Sequence, residues 1–108
     1  MNDGFLQFLG IAWRARSLIA GEYPCLQALR AGRGHLLIVA ADASENTAKR
    51  LLAAAEHRAV ETHVAYSKDE LGHAVGQSQR AALLVVDSGF AKKLQQLAGQ
   101  GRGPAAVR

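Results

Sequence analysis

His35-Leu36-Leu37-Ile38-Val39-Ala40-Ala41-Asp42-Ala43-Ser44 decides how the rest of the chain is read. From Leu36 to Ala40 it is a short, unbroken apolar run lying between Gly34 and a polar turn. With no polar position on either face, such a run predicts a β-strand covered on both sides. Asp42-Ala43-Ser44 ends it, and Ser44 has the hydroxyl that caps the first turn of a following helix. In that helix Ala48, Leu51, Leu52, Ala55 and Ala59 share one stripe, with Glu45 and Lys49 paired at i, i+4 on the outer side.

The same alternation continues on both sides. Upstream, Phe5, Leu6, Leu9, Ala12 and Trp13 recur at helical spacing and predict a helix over 3–15. Gly21 breaks that pattern, and Pro24 fits the first turn of a second helix, which runs to about Ala31 and stops at Gly32-Arg33-Gly34. Downstream, a strand is expected over Thr62–Tyr66, a short helix over Lys68–Val75 and a strand over Ala82–Val86. A last helix runs from Ser88 or Gly89 through Leu97. Three strands alternating with helices indicate a layered α/β sandwich with a mostly parallel sheet. One domain over 1–98 is expected, followed by a frayed basic tail over 99–108.

Composition sets the range of functions. The 108 residues are 49% hydrophobic and 20% charged, an ordinary globular balance large enough for one modest core. Thirteen Lys and Arg against nine Asp and Glu give a net charge of +4, which favours phosphate-rich partners. The single cysteine, Cys25, allows no internal disulfide. No apolar run reaches the roughly 18 residues of a membrane span, and the N-terminus lacks a signal-peptide pattern. No membrane association and a cytoplasmic location are expected.

Catalytic chemistry finds little support. Asp42 and Asp87 both end strands, where open α/β sheets place ligands, but no second carboxylate accompanies Asp42, and each reads more simply as a helix-start acceptor. His35, His57, His63 and His73 lack metal-ligand spacing. No nucleophile elbow surrounds any serine. Gly32-Arg33-Gly34 lies between a helix and a strand, the reverse of a phosphate-cradling loop. Cys25 sits on an apolar helix face beside Leu26 and Leu29. No enzyme, metal or cofactor is expected.

Several stretches together carry a family pattern. Leu9-Gly10-Ile11-Ala12-Trp13-Arg14-Ala15-Arg16-Ser17-Leu18-Ile19-Ala20-Gly21-Glu22 opens it, followed by Leu29-Arg30-Ala31-Gly32 and the strand ending in Asp42-Ala43-Ser44-Glu45-Asn46-Thr47. Ser67-Lys68-Asp69-Glu70-Leu71-Gly72-His73-Ala74-Val75-Gly76 and Gly89-Phe90-Ala91-Lys92-Lys93-Leu94 complete it. In order and spacing, residues 6–95 resemble the bacterial YlxQ proteins, a branch of the superfamily that includes archaeal ribosomal protein L-seven-Ae.

The resemblance implies an α-β-α sandwich with a mixed four-stranded sheet, replacing the mostly parallel expectation. It also implies non-enzymatic binding of structured RNA, ribosomal RNA among the candidates, often at kink-turns and through loops at one end of the sheet. A monomer near the transcription or translation machinery is the expected context. Kink-turn binders of the superfamily carry Gly-x-Asn-Glu-x-x-Lys at the second helix; here those positions hold Gly21, Tyr23, Pro24 and Gln27, so only the glycine is kept.

Three segments would form the implied surface: Arg16 through Tyr23 with Gly21 and Glu22, Ser44 through Arg50 with Asn46 and Thr47, and Gln77 through Arg80 with Lys68 nearby. Helix-start N–H groups and cations would face phosphate there, and Tyr23 would stack on an unpaired base. The alternative is a protein-interaction module on ribosomal or transcription machinery.

Overall fold

The alternation read from sequence closes into a single sheet in a computed structural model, which describes residues 3–100. Asp3 opens α1 (Gly4–Arg14), its carboxylate accepting from the N–H groups of Phe5 and Leu6. Then follow β1 (Leu18–Ala20), α2 (Glu22–Arg30), β2 (Leu36–Val39) and α3 (Glu45–His57). The chain continues through β3 (Glu61–Val64), α4 (Lys68–Ala74), β4 (Ala82–Val85) and α5 (Ser88–Gln100). The sheet order is β1-β4-β2-β3. Only β2 and β3 run parallel; β4 is antiparallel to both β1 and β2. The sheet is therefore mixed and four-stranded.

The central stretch behaves as its composition requires. Leu37, Ile38 and Val39 are fully buried, and successive residues enter opposite layers. Leu36 and Ile38, with Leu83 and Val85 of β4, pack under α1, α4 and α5 against Leu9, Leu71 and Leu94. Leu37 and Val39, with Ala82 and Leu84, pack under α2 and α3 against Leu26, Leu29, Leu51 and Ala55. Each such leucine or valine removed from water contributes roughly 1.5–3 kcal/mol, so these two strands hold both layers to the sheet.

Several local expectations are corrected. β1 went unread because it has three residues, too few for any alternation to register. α3 stops at His57; Ala59 is exposed with φ 56 and Leu52 is 38% exposed, so neither belongs to the buried stripe. The Glu45–Lys49 pair does not form, and among the described residues the one ion pair joins Arg50 to Glu22. β3 lies over Glu61–Val64, leaving Tyr66 in the following loop at φ 69. α5 continues past Leu97 to Gln100, and residues 101–108 of the expected tail lie outside the described residues.

Candidate nucleic-acid interface

Strand direction gathers the site. Val39 of β2 pairs with Val64 of β3 and with Ala82 of β4, and Ala20 of β1 pairs with Leu83. The β1–α2, β2–α3, β3–α4 and α4–β4 connections therefore all emerge at one end of the sheet. Backbone bonds lace them together. Gly21 donates to the Ala82 carbonyl at 2.9 Å, Ala40 to Ala81 at 2.8 Å, Ala41 to Tyr66 at 2.7 Å and Arg80 to Lys68 at 3.1 Å. The N–H of Lys68 donates to Asp42 Oδ1 at 2.8 Å. Asp42 is thus committed to the head of α4, and Asp87 to the N–H of Phe90 at 2.9 Å. Because β4 runs against β2, the two aspartates lie at opposite ends of the sheet and share no site.

Glu22 organises the head of α2. Its Oε2 accepts from Arg50 Nε at 2.9 Å and Nη2 at 2.7 Å, while Oε1 accepts from the Thr47 hydroxyl at 3.1 Å. The Arg50 hydrogen bonds hold the Glu22 carboxyl below its ordinary range, with Thr47 adding to the effect. Glu22 therefore fastens the first turn of α2 to the first turns of α3. Gly21 lies at φ 109, where a side chain is strained, and it offers no cap to α2. The two N–H groups that open α2, those of Glu22 and Tyr23, thus have no side-chain acceptor, which favours an anion there. At α3, Ser44 caps the Thr47 N–H at 3.2 Å.

The remaining expected residues divide. Tyr23 is 74% exposed, beside the uncapped turn. Asn46 is exposed and Lys68 half-buried at the same end. Arg80 is there too, but its guanidinium turns into its own loop. Nη1 reaches the Gln79 carbonyl at 2.8 Å and Ser78 Oγ at 3.0 Å, and Nη2 reaches Gln77 Oε1 at 3.1 Å. It shapes the loop as well as charging it. Arg16 is a correction. Sequence placed it in one loop with Tyr23, but β1 intervenes and carries it to the far end, where the neighbouring Ser17 carbonyl accepts from Val86.

Other reactive groups are accounted for. Cys25 is buried, its thiol pushed up to about 12 by desolvation, with Sγ 3.4 Å from the Ile19 carbonyl oxygen. His63 is half-buried 5.3 Å from the Phe5 ring, and burial lowers its pKa. Among the described residues, no cluster of three His, Cys, Asp or Glu side chains could hold a metal, and no helix is long and apolar enough to cross a membrane.

Sequence reasoning missed the Glu22–Thr47–Arg50 link, because residues 25 to 28 positions apart leave no local signal. It also missed the closeness of Gly72 to the α4–β4 loop. A Cβ on Gly72 would stand 1.9 Å from the Ser78 carbonyl oxygen.

The chain is similar to several known proteins. RNA-binding protein YlxQ of Bacillus subtilis (strain 168) is 36% identical over 89 residues, covering 82% of this chain and 89% of that one. Its Enterococcus faecium namesake is 35% identical over 101 residues, 90% and 97% of the two chains. A Bacillus halodurans protein of unknown function superposes with TM-score 0.86 at 33% identity, over 92% of this chain and 100% of its own. A Giardia lamblia 15.5kD RNA binding protein shares the fold, with TM-score 0.72 at 20% identity over 93% and 89%. The profile of the ribosomal protein L7Ae/L30e/S12e/Gadd45 family matches residues 5–95, and the chain belongs to that family.

Proposed function

We propose that the protein is a non-enzymatic binder of structured RNA, docking through the loops at the sheet end that carries Gly21, Tyr23, Asn46, Lys68 and Arg80. One observation carries this reading: loops distant in sequence are hydrogen-bonded into a rigid end that combines an uncapped helix head, an exposed aromatic ring and several cations. Rigid donors bind phosphate without an ordering cost at the moment of contact, and Tyr23 supplies a stacking face. Glu22, Thr47 and Arg50 support the surface by fixing α2 to α3, with half of the Arg50 side chain still exposed. The family relatives named for RNA binding agree with this reading, and the setting we propose for it is ribosomal RNA or the transcription or translation machinery.

Filter binding of a bulged hairpin RNA across a salt series tests the proposal. The expected result is a logarithmic fall of affinity with salt, with a slope that drops by about one in Lys68→Gln. Affinity independent of salt, or equal for the bulged hairpin and a bulge-free duplex, would overturn it.

A further inference from the structure

The outward side of the α2–α3 layer has a feature that the loops do not use. α2 and α3 both start at the loop-bearing end and run away from it side by side, joined underneath by Leu26, Leu29, Leu51 and Ala55. An open groove of about 450 Å³ lies along them, lined by Arg30, Arg50, Ala53, Ala54, His57 and Arg58. Arg50, Ala53, Ala54 and His57 of α3 and its C-cap Arg58 recur at i, i+3/i+4 and i+7/i+8, one stripe with alanines as its floor. On α2, Tyr23, Gln27 and Arg30 form the facing exposed stripe.

The groove's lining residues bear charge of one sign; Glu22 offsets Arg50 at its head, so Arg30 and Arg58 supply its net positive charge. Three arginines and a histidine line it and no acid does; Glu56, the acid of this part of α3, faces a different hollow with Leu52, Val60 and Thr62. Its two ends are fixed. Arg50 is held by Glu22 at the head of α2, so the groove begins at the loop surface. Arg58 donates to the Arg30 carbonyl at the foot of α2, locking the far end. From Arg50 to Arg58 the groove spans about 12 Å of helix at ~1.5 Å per residue. Small alanines leave room for a broad ligand, while cations on both walls suit a repeating anion.

We propose that this groove carries the phosphate backbone of an RNA stem leaving the loop-bearing end, so that the protein holds an unpaired element and its flanking helix together. This rests on the RNA-binding reading above and adds a second contact region to it. The deep, narrow major groove of an A-form stem keeps its base edges from these side chains, so the groove recognises the stem by its backbone and not by its sequence.

The experiment uses the full chain and two RNAs: the bulged hairpin with a short stem, and the same hairpin with that stem extended by one helical turn. Wild type is expected to bind the extended RNA more tightly and with a steeper salt slope. Arg30→Gln should lower the slope on the extended RNA by about one while leaving the short RNA unchanged. Ala53→Glu places an acid on the groove floor at an exposed helical position that tolerates it, and should abolish the gain from the longer stem. Lys92→Gln, an equal charge loss at an exposed position on α5, should leave that gain intact. Wild-type binding that ignores stem length, or equal losses in Arg30→Gln and Lys92→Gln, overturns the groove while leaving the loop surface standing. Failure of wild type to bind either RNA overturns both.

Discussion

Gly72→Ala is the sharpest perturbation the fold offers, because two opposing effects have calculable sizes. Gly72 lies inside α4, where alanine is intrinsically favoured over glycine by about 1 kcal/mol. Against this, the new methyl would meet the Ser78 carbonyl oxygen at 1.9 Å, the Ser78 carbonyl carbon at 2.6 Å and Gln79 Cα at 3.0 Å. All three are backbone atoms, so the α4–β4 loop itself would have to retreat by roughly 1.5 Å to regain van der Waals distance. The loop is also tied to α4 by the Gln77 N–H to Gly72 carbonyl bond at 2.8 Å and by Arg80 N–H to Lys68 at 3.1 Å. Overpacking of this kind costs about 1–3 kcal/mol or more.

A backbone contact as close as 1.9 Å puts the clash at the upper end of that range, leaving a net loss of about 2 kcal/mol and a fall of roughly 8–16 °C in Tm. Thermal and urea unfolding would measure it, with Gly76→Ala as a comparison. Gly76 has φ 70 but nothing within 4 Å of its would-be Cβ, so that variant should lose only about 1 kcal/mol of backbone strain. RNA affinity should fall further in Gly72→Ala than in Gly76→Ala, since only the former displaces Ser78 and Gln79. A Gly72→Ala protein as stable as wild type, or more so, would refute the close packing of α4 against the loop.

Other expectations follow from the same contacts. Glu22→Gln should cost about 0.5–1 kcal/mol at neutral pH, as expected for a partly exposed pair. Because the folded carboxyl titrates below its ordinary 4.5, this difference should be full above that pH and vanish as pH falls through the depressed value, which urea titrations at several pH values would follow. Tyr23→Ala should weaken binding of the bulged hairpin by about 1–3 kcal/mol with little change in Tm, given its 74% exposure. Arg16→Asn should leave RNA affinity within the scatter of wild type, since the residue lies at the far end of the sheet and asparagine tolerates its φ of 61. Cys25 should resist alkylation at neutral pH until denaturant unfolds the chain, since its thiol titrates only at about 12.

How far the sequence could be read follows from where its signals are local. The two-sided burial of Leu36–Ala40, the Ser44 cap and the apolar stripe of α1 are each set within a few residues, and they placed most elements correctly. Strand direction is not local: alternating strands and helices suggested parallel pairing, and only the family resemblance pointed to a mixed sheet. β1 escaped because Leu18-Ile19-Ala20 is shorter than any period that could reveal it, and this one omission misplaced Arg16. The grouping of Gly21, Asn46, Lys68 and Arg80 followed once the resemblance supplied the topology. What stayed hidden was pairwise: Glu22 with Arg50, and Gly72 with Ser78, meet only because the layers bring them together.

Amide chemical-shift mapping of the full chain on addition of the bulged hairpin bears most directly on whether the laced end of the sheet is the RNA surface. Perturbations should concentrate at residues 21–23, 44–50, 66–69 and 77–81, with residues 15–17, 33–35 and 86–89 at the opposite end unmoved. Shifts centred on that opposite end, or spread evenly over the molecule, would contradict it.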